Sequence, residues 1–78
     1  GKKGIVRDPA VHRHVLLEVA QAAAALGWQT AGLTYSPITG PEGNIEFLIY
    51  WRKHGAATIL LEEEIKRVVD DAHRWLMG

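Results

Sequence analysis

The sequence predicts an α/β unit in which a helix, two strands and a second helix follow in chain order. Three observations predict it. Apolar residues recur three and four apart in the first third, two β-rich runs flank a proline- and glycine-rich loop, and an apolar stripe with charged flanks occupies the end.

The first helix is read from "RDPAVHRHVLLEVAQAAAALG", with Asp8 as N-cap, Pro9 at the first helical position and Gly27 as the stop. Val11, Val15, Val19, Ala22 and Leu26 form its expected buried stripe. "WQTAGLTYS" and "NIEFLIYWRK" read as strands. The intervening "PITGPEG" is too short for a crossover helix, so the strands should pair antiparallel as a long-looped hairpin. The last helix runs from about Leu60 to Leu76, with Leu61, Ile65, Val68, Ala72 and Leu76 on one side and Glu62, Glu63, Lys66 and Asp70 off it. The run Glu62 to Glu64 suits a first turn, where the helix dipole favours negative charge.

A length of 78 residues sets a ceiling of one small domain, near the size at which a single core is marginal. With 47% hydrophobic and 23% charged residues the chain should fold. Nine basic and nine acidic side chains give a formal charge of zero, so the electrostatic footprint of a self-sufficient nucleic-acid binder is missing. The absence of cysteine excludes a disulfide framework and a thiolate metal site. No apolar run approaches the length of a membrane span, and no signal-peptide pattern opens the sequence. The first residue is Gly1 and the single methionine is Met77, so a piece of a longer protein is expected.

The second strand supports that expectation. "FLIYW" is apolar without interruption, the pattern of a strand covered on both faces. Two helices and one hairpin cannot supply that cover, so the strand is expected to be central in a larger sheet.

Against this background, "GKKGIVRDPAVHRHV", "LTYSPITGPEGNIEFLIYW" and a closing helix containing "DDAH" resemble the C-terminal portion of TlyA-type proteins. These are a branch of the FtsJ-like ribosomal RNA 2′-O-methyltransferases, also named haemolysins. In such proteins a small RNA-binding domain precedes a Rossmann-like fold that binds S-adenosylmethionine and whose last two strands form an antiparallel hairpin. The resemblance implies that residues 1–78 are a single compact unit, the C-terminal part of a Rossmann-like RNA methyltransferase domain. It implies a cytoplasmic parent acting on ribosomal RNA, with the S-adenosylmethionine site outside this chain and the isolated chain inactive.

Methyl transfer to a ribose 2′-oxygen requires a poor nucleophile to lose its proton in line with a sulfonium methyl, a task for positioning and a lysine of lowered pKa. The resemblance implies a Lys-Asp-Lys-Glu tetrad whose final glutamate matches Glu46, orienting and tuning the lysine; the other members are expected upstream of Gly1. Lys2 and Lys3 do not occupy a matching place. Pro37, Gly40, Pro41 and Gly43 would hold the preceding loop in few conformations. From the residues alone, the stretch reads as a well-made hairpin loop and Glu46 as a polar side chain facing water from a strand; it is the resemblance that reverses this reading.

Lys2, Lys3, Arg7 and Ser36 are the candidate RNA contacts, and Arg13 adds charge to the same end. Glu42 is expected to be a solvated loop residue rather than one of a hydrolytic carboxylate pair. His12 and His14 lie two apart on a helix and so do not share a face; both are expected at the surface, and His54 and His73 show no ligand pattern. Most of Trp28, Tyr35, Tyr50, Trp51 and Trp75 should fill the core. The alternative function is a stand-alone α-β-β-α interaction or dimerisation module in which Glu46 is inert. Either way, self-association through the "FLIYW" region is expected of the isolated chain. Membrane lysis has no physical support, since neither helix carries a strongly basic polar face.

Overall fold

The local signals at the start of the chain act as expected in the computed structural model, which describes residues 6–53 and 61–77. Asp8 adopts an extended backbone and its side chain accepts the Ala10 N–H at 2.9 Å, satisfying one of the orphan donors of helix α1, Pro9–Ala25. The helix ends in a Schellman motif: Trp28 N–H donates to the Ala23 carbonyl and Gly27 N–H to that of Ala24, with Gly27 at φ +87°.

Strands β1, Gln29–Tyr35, and β2, Phe47–Arg52, pair antiparallel. Tyr35 stands opposite Phe47, Leu33 opposite Ile49 and Gln29 opposite Arg52, with an irregularity between Thr30 and Gly32 that leaves Ala31 unmatched. Helix α2, Leu61–Leu76, follows. The order is α-β-β-α, a two-stranded antiparallel hairpin with two helices packed against one side.

The core lies where α1, α2 and the inner face of the hairpin meet. Leu16, Leu33, Ile65, Val68 and Val69 form its centre, and Leu17, Tyr35, Phe47, Ile49 and Leu61 close around them. On α2 the expected stripe is buried from Ile65 through Val68 to Ala72, with Leu61 and Leu76 half-buried at its ends and Val69, which the stripe did not include, buried beside it.

On α1 it is not. The buried residues are Leu16, Ala20 and Ala23, whereas Val11, Val15, Val19 and Leu26 are exposed. The buried stripe is displaced by one residue, about 100° around the helix axis. The reason is that α1 is apolar on both sides, so spacing alone could not choose between two valid stripes.

The aromatic residues also depart from expectation. Trp75 and Tyr50 are 71% and 72% exposed, and Trp28 and Trp51 pack edge to face against each other at 6.1 Å, each still more than a third exposed. Only Tyr35 of that group joins the core. On β2, Phe47 and Ile49 turn inward while Leu48 and Tyr50 turn outward onto an uncovered face. No described helix is long and apolar enough to cross a membrane.

Candidate functional site

The loop between the strands is built from close backbone contacts. At its neck, Ser36 N–H donates to the Glu46 carbonyl at 2.8 Å, extending the hairpin ladder by one step. Farther out, Gly40 N–H donates to the Asn44 carbonyl at 2.7 Å and Gly43 N–H to the Gly40 carbonyl at 3.0 Å. Two glycines suit this path, Gly43 by its backbone and Gly40 by the room it leaves for the Asn44 side chain. A Cβ on Gly40 would stand 2.5 Å from the Asn44 side-chain oxygen, and Gly43 holds φ +83°, where an L side chain is strained. Pro37 and Pro41 restrict φ between these contacts, so the loop delivers its last residues in a defined pose.

That pose separates two neighbours. Ile45 is buried at 7% exposure and anchors the loop to the core side, and Glu46 beside it is exposed. The alternation continues the β2 pleat backwards by two residues, so the carboxylate of Glu46 stands clear of the core at the strand entrance. Glu42, at the loop tip, is also exposed.

Of the other candidate residues, Ser36 is joined to Glu46 through its backbone, and its hydroxyl accepts the Ile38 N–H at 3.4 Å. The Arg7 guanidinium comes to 3.9 Å from where a Cβ on Gly43 would lie, so it stands over the loop. Arg13 turns elsewhere, to Asp70 on α2 at 3.6 Å. Lys2, Lys3 and His54 lie outside the described residues.

One feature of the site was missed in the sequence. His12 is not a surface residue: it is half-buried, and its Nδ1 lies 2.7 Å from Nε2 of His73 on α2. Its ring also meets that of Phe47 edge to face, with centroids 5.2 Å apart. Burial, reinforced by the nearby His73, holds the His12 imidazole below its ordinary pKa, against the opposing pull of a hydrogen bond to the Val6 backbone and the Asp8 carboxylate. Beside the pair, a cleft of about 250 Å³ is lined by Val6, Val15, Asn44, Ile45 and Phe47. His14, by contrast, stays at the surface, 3.3 Å from Glu18. The two partners His12 and His73 are 61 residues apart, so no local pattern could have joined them.

No protein-family model matches the chain. Individual relatives do. Over 97% of its length the chain is 53% identical to YqxC of Bacillus subtilis, which is named as an rRNA methyltransferase. Over 91% it is 32% identical to TlyA of Mycobacterium tuberculosis, named as a 16S/23S rRNA (cytidine-2′-O)-methyltransferase. The chain spans 28% of the length of each. Among solved structures, a protein of Streptococcus thermophilus named as a hemolysin superposes on 94% of the chain with a TM-score of 0.83 and 40% identity, the match covering 26% of that protein. Another so named, from Lactococcus lactis, superposes on 87% with a TM-score of 0.73 and 41% identity, covering 33% of its own chain. By sequence and by fold together, the chain is related to a segment of the TlyA-type rRNA methyltransferases, a segment amounting to about 28% of their length.

Proposed function

We propose that this chain is the C-terminal portion of a cytoplasmic, S-adenosylmethionine-dependent rRNA 2′-O-ribose methyltransferase, to which it contributes Glu46 and no donor site. The observation that carries the reading is the placement of Glu46: an exposed carboxylate at the entrance of β2, delivered by a loop whose glycines and prolines fix its path, in a chain 53% identical to a relative named as an rRNA methyltransferase. In this role the carboxylate orients and tunes a lysine supplied by the upstream part of the parent, and that lysine takes the ribose proton. Arg7, beside the loop, would meet RNA phosphate, with Lys2 and Lys3 extending the same basic end and Ser36 at the loop neck as a further contact.

The described residues do not fit the methyl donor. A Rossmann-type cradle needs a glycine turn between a strand and the helix that follows it, with a carboxylate for the ribose hydroxyls. Here the positive-φ glycines cap the end of α1 and close the hairpin loop, and the cleft beside α1's end is lined only by Val19, Ala22, Ala23, Leu26, Trp28 and Trp51. Donor binding therefore falls to the rest of the parent, and the chain alone is inactive. Its uncovered apolar residues, Leu48 and Tyr50 on the sheet and the α1 valines, are the faces the parent would cover. Without that cover the chain self-associates through the 47–51 region. Light scattering of the isolated chain should show a dimer or larger species, and a stable monomer at high concentration would contradict it.

The test of the catalytic role is Glu46→Gln in the full-length parent. RNA and donor affinities should change little while single-turnover methylation falls by roughly a hundredfold or more, the scale on which lost preorganised electrostatics appears. Glu42→Gln is the control and should cost less than about tenfold. Near-normal turnover by the Glu46 variant, or equal damage from both, would remove the role.

A further inference from the structure

We propose that His12 and His73 are positioning residues: their hydrogen bond clasps α1 to α2 against Phe47, and its proton occupancy sets how firmly the start of β2, and with it Glu46, is seated. The consequence for catalysis rests on the functional reading above; the clasp itself does not.

The geometry supplies the argument. An imidazole pair 2.7 Å apart is held by one N–H···N bond, which needs one ring to donate and the other to accept. That requirement is met when the pair carries no extra proton and when it carries one. A second proton leaves two donors face to face and two positive charges at contact distance, and the bond is lost. The pair should therefore take up its protons in two separate steps.

The surroundings favour the uncharged side of this equilibrium. From the start of α1, among the described residues, Asp8 is the charged group that acts on His12, and it favours protonation. From α2 comes His73, which opposes it. Asp70, three residues earlier on α2, is already engaged by Arg13 at 3.6 Å and Lys66 at 3.2 Å. From β2 and the loop come Phe47, Ile45 and Asn44, none of them charged. Burial in that company is what lowers the His12 pKa. The sign follows: the unfolded chain, with His12 near 6.5, binds more protons than the folded one, so the clasp's contribution is complete above about pH 6.5 and is lost as pH falls through the lowered value.

The link to the site is short. Phe47 meets the His12 ring at 5.2 Å on one side of the strand, and it is the residue immediately after Glu46. A clasp that loosens beneath Phe47 loosens the strand entrance.

The experiment is a proton titration of the isotope-labelled chain followed by NMR, reading the imidazole carbons and the Glu46, Phe47 and Leu48 amides together. The expected result is two coupled steps for His12 and His73, with His12 titrating below the ordinary histidine range. The three amides should shift in the second step, and exchange at Phe47, corrected for intrinsic rate, should quicken severalfold. His73→Gln should abolish the coupled step while His14→Gln leaves it intact. Independent single titrations of the two rings would overturn the proposal. So would amides at 46–48 that ignore the second proton, or a wild-type response that survives His73→Gln.

Discussion

The two helices are nearly equal in length, 17 and 16 residues, yet they present opposite problems to the fold. Helix α2 is cleanly divided: Val69 and Ala72 are fully buried, and Glu64, Lys66, Arg67, Asp70 and Asp71 tie the outer side together with ion pairs at i+3 and i+4. Helix α1 has no such division. Leu16, Ala20 and Ala23 face the core, and Val11, Val15 and Val19, each about 40% exposed, form a second apolar side that the described residues cover only in part. The difference marks α2 as an outer-layer helix with one face to bury. Helix α1 has two, as expected of a helix that belongs inside a larger assembly.

The sharpest way to break this comparison is to put one charge into each helix. Val69→Asp places a carboxylate at a position with 0% exposure and no cation beside it in the apolar cluster, so the chain should lose on the order of 3–5 kcal/mol and fail to fold stably. Val15→Asp alters a side chain that is already 45% exposed, and should stay within about 0.5 kcal/mol in the isolated chain. In the full-length parent the second substitution should become costly, since the parent is proposed to cover the outer side of α1. Chemical denaturation of both variants in both settings makes the measurement. Equal losses in the isolated chain would mean that the valine side is already packed.

What the sequence disclosed follows the same division. The α2 stripe was legible because charged residues mark most positions that are not core, Trp75 near its end being the exposed apolar exception. On α1 the alanines erase that contrast: the stripe through Val15, Val19 and Ala22 and the one through Leu16, Ala20 and Ala23 keep the same spacing, and only tertiary packing selects between them. The hairpin was legible from its turn residues, and Gly32 in "QTAGLTY" is a local cue for the irregularity beside it, though it does not say which residue goes unmatched. The tryptophans mislead for a physical reason. Trp28 and Trp51 sit at the open end of the hairpin, where they reach each other but not the centre of the core. At the site, the loop's glycines and prolines and the position of Glu46 could be read from order alone. The His12 to His73 bond could not, because it depends on how two helices pack.

The ends of α1 offer smaller effects that sharpen the contrast, since its caps are as explicit as its faces are ambiguous. Gly27→Ala forces a Cβ into φ +87° with nothing nearby to clash, so the loss is that of the backbone alone, about 1–2 kcal/mol. Asp8→Ala removes the acceptor for Ala10 N–H and should cost about 1 kcal/mol. Asp8→Asn is the finest probe. Asparagine caps nearly as well, so thermal stability at neutral pH should fall by no more than a few tenths of a kcal/mol. Yet the substitution deletes the carboxylate that, among the described residues, favours a charged His12, and the His12 titration should move further down as a result. A cap that is only a cap would leave the imidazole resonances of His12 where they were. Movement of His12 without loss of helix would show that the residue starting α1 also sets the charge state of its contact with α2.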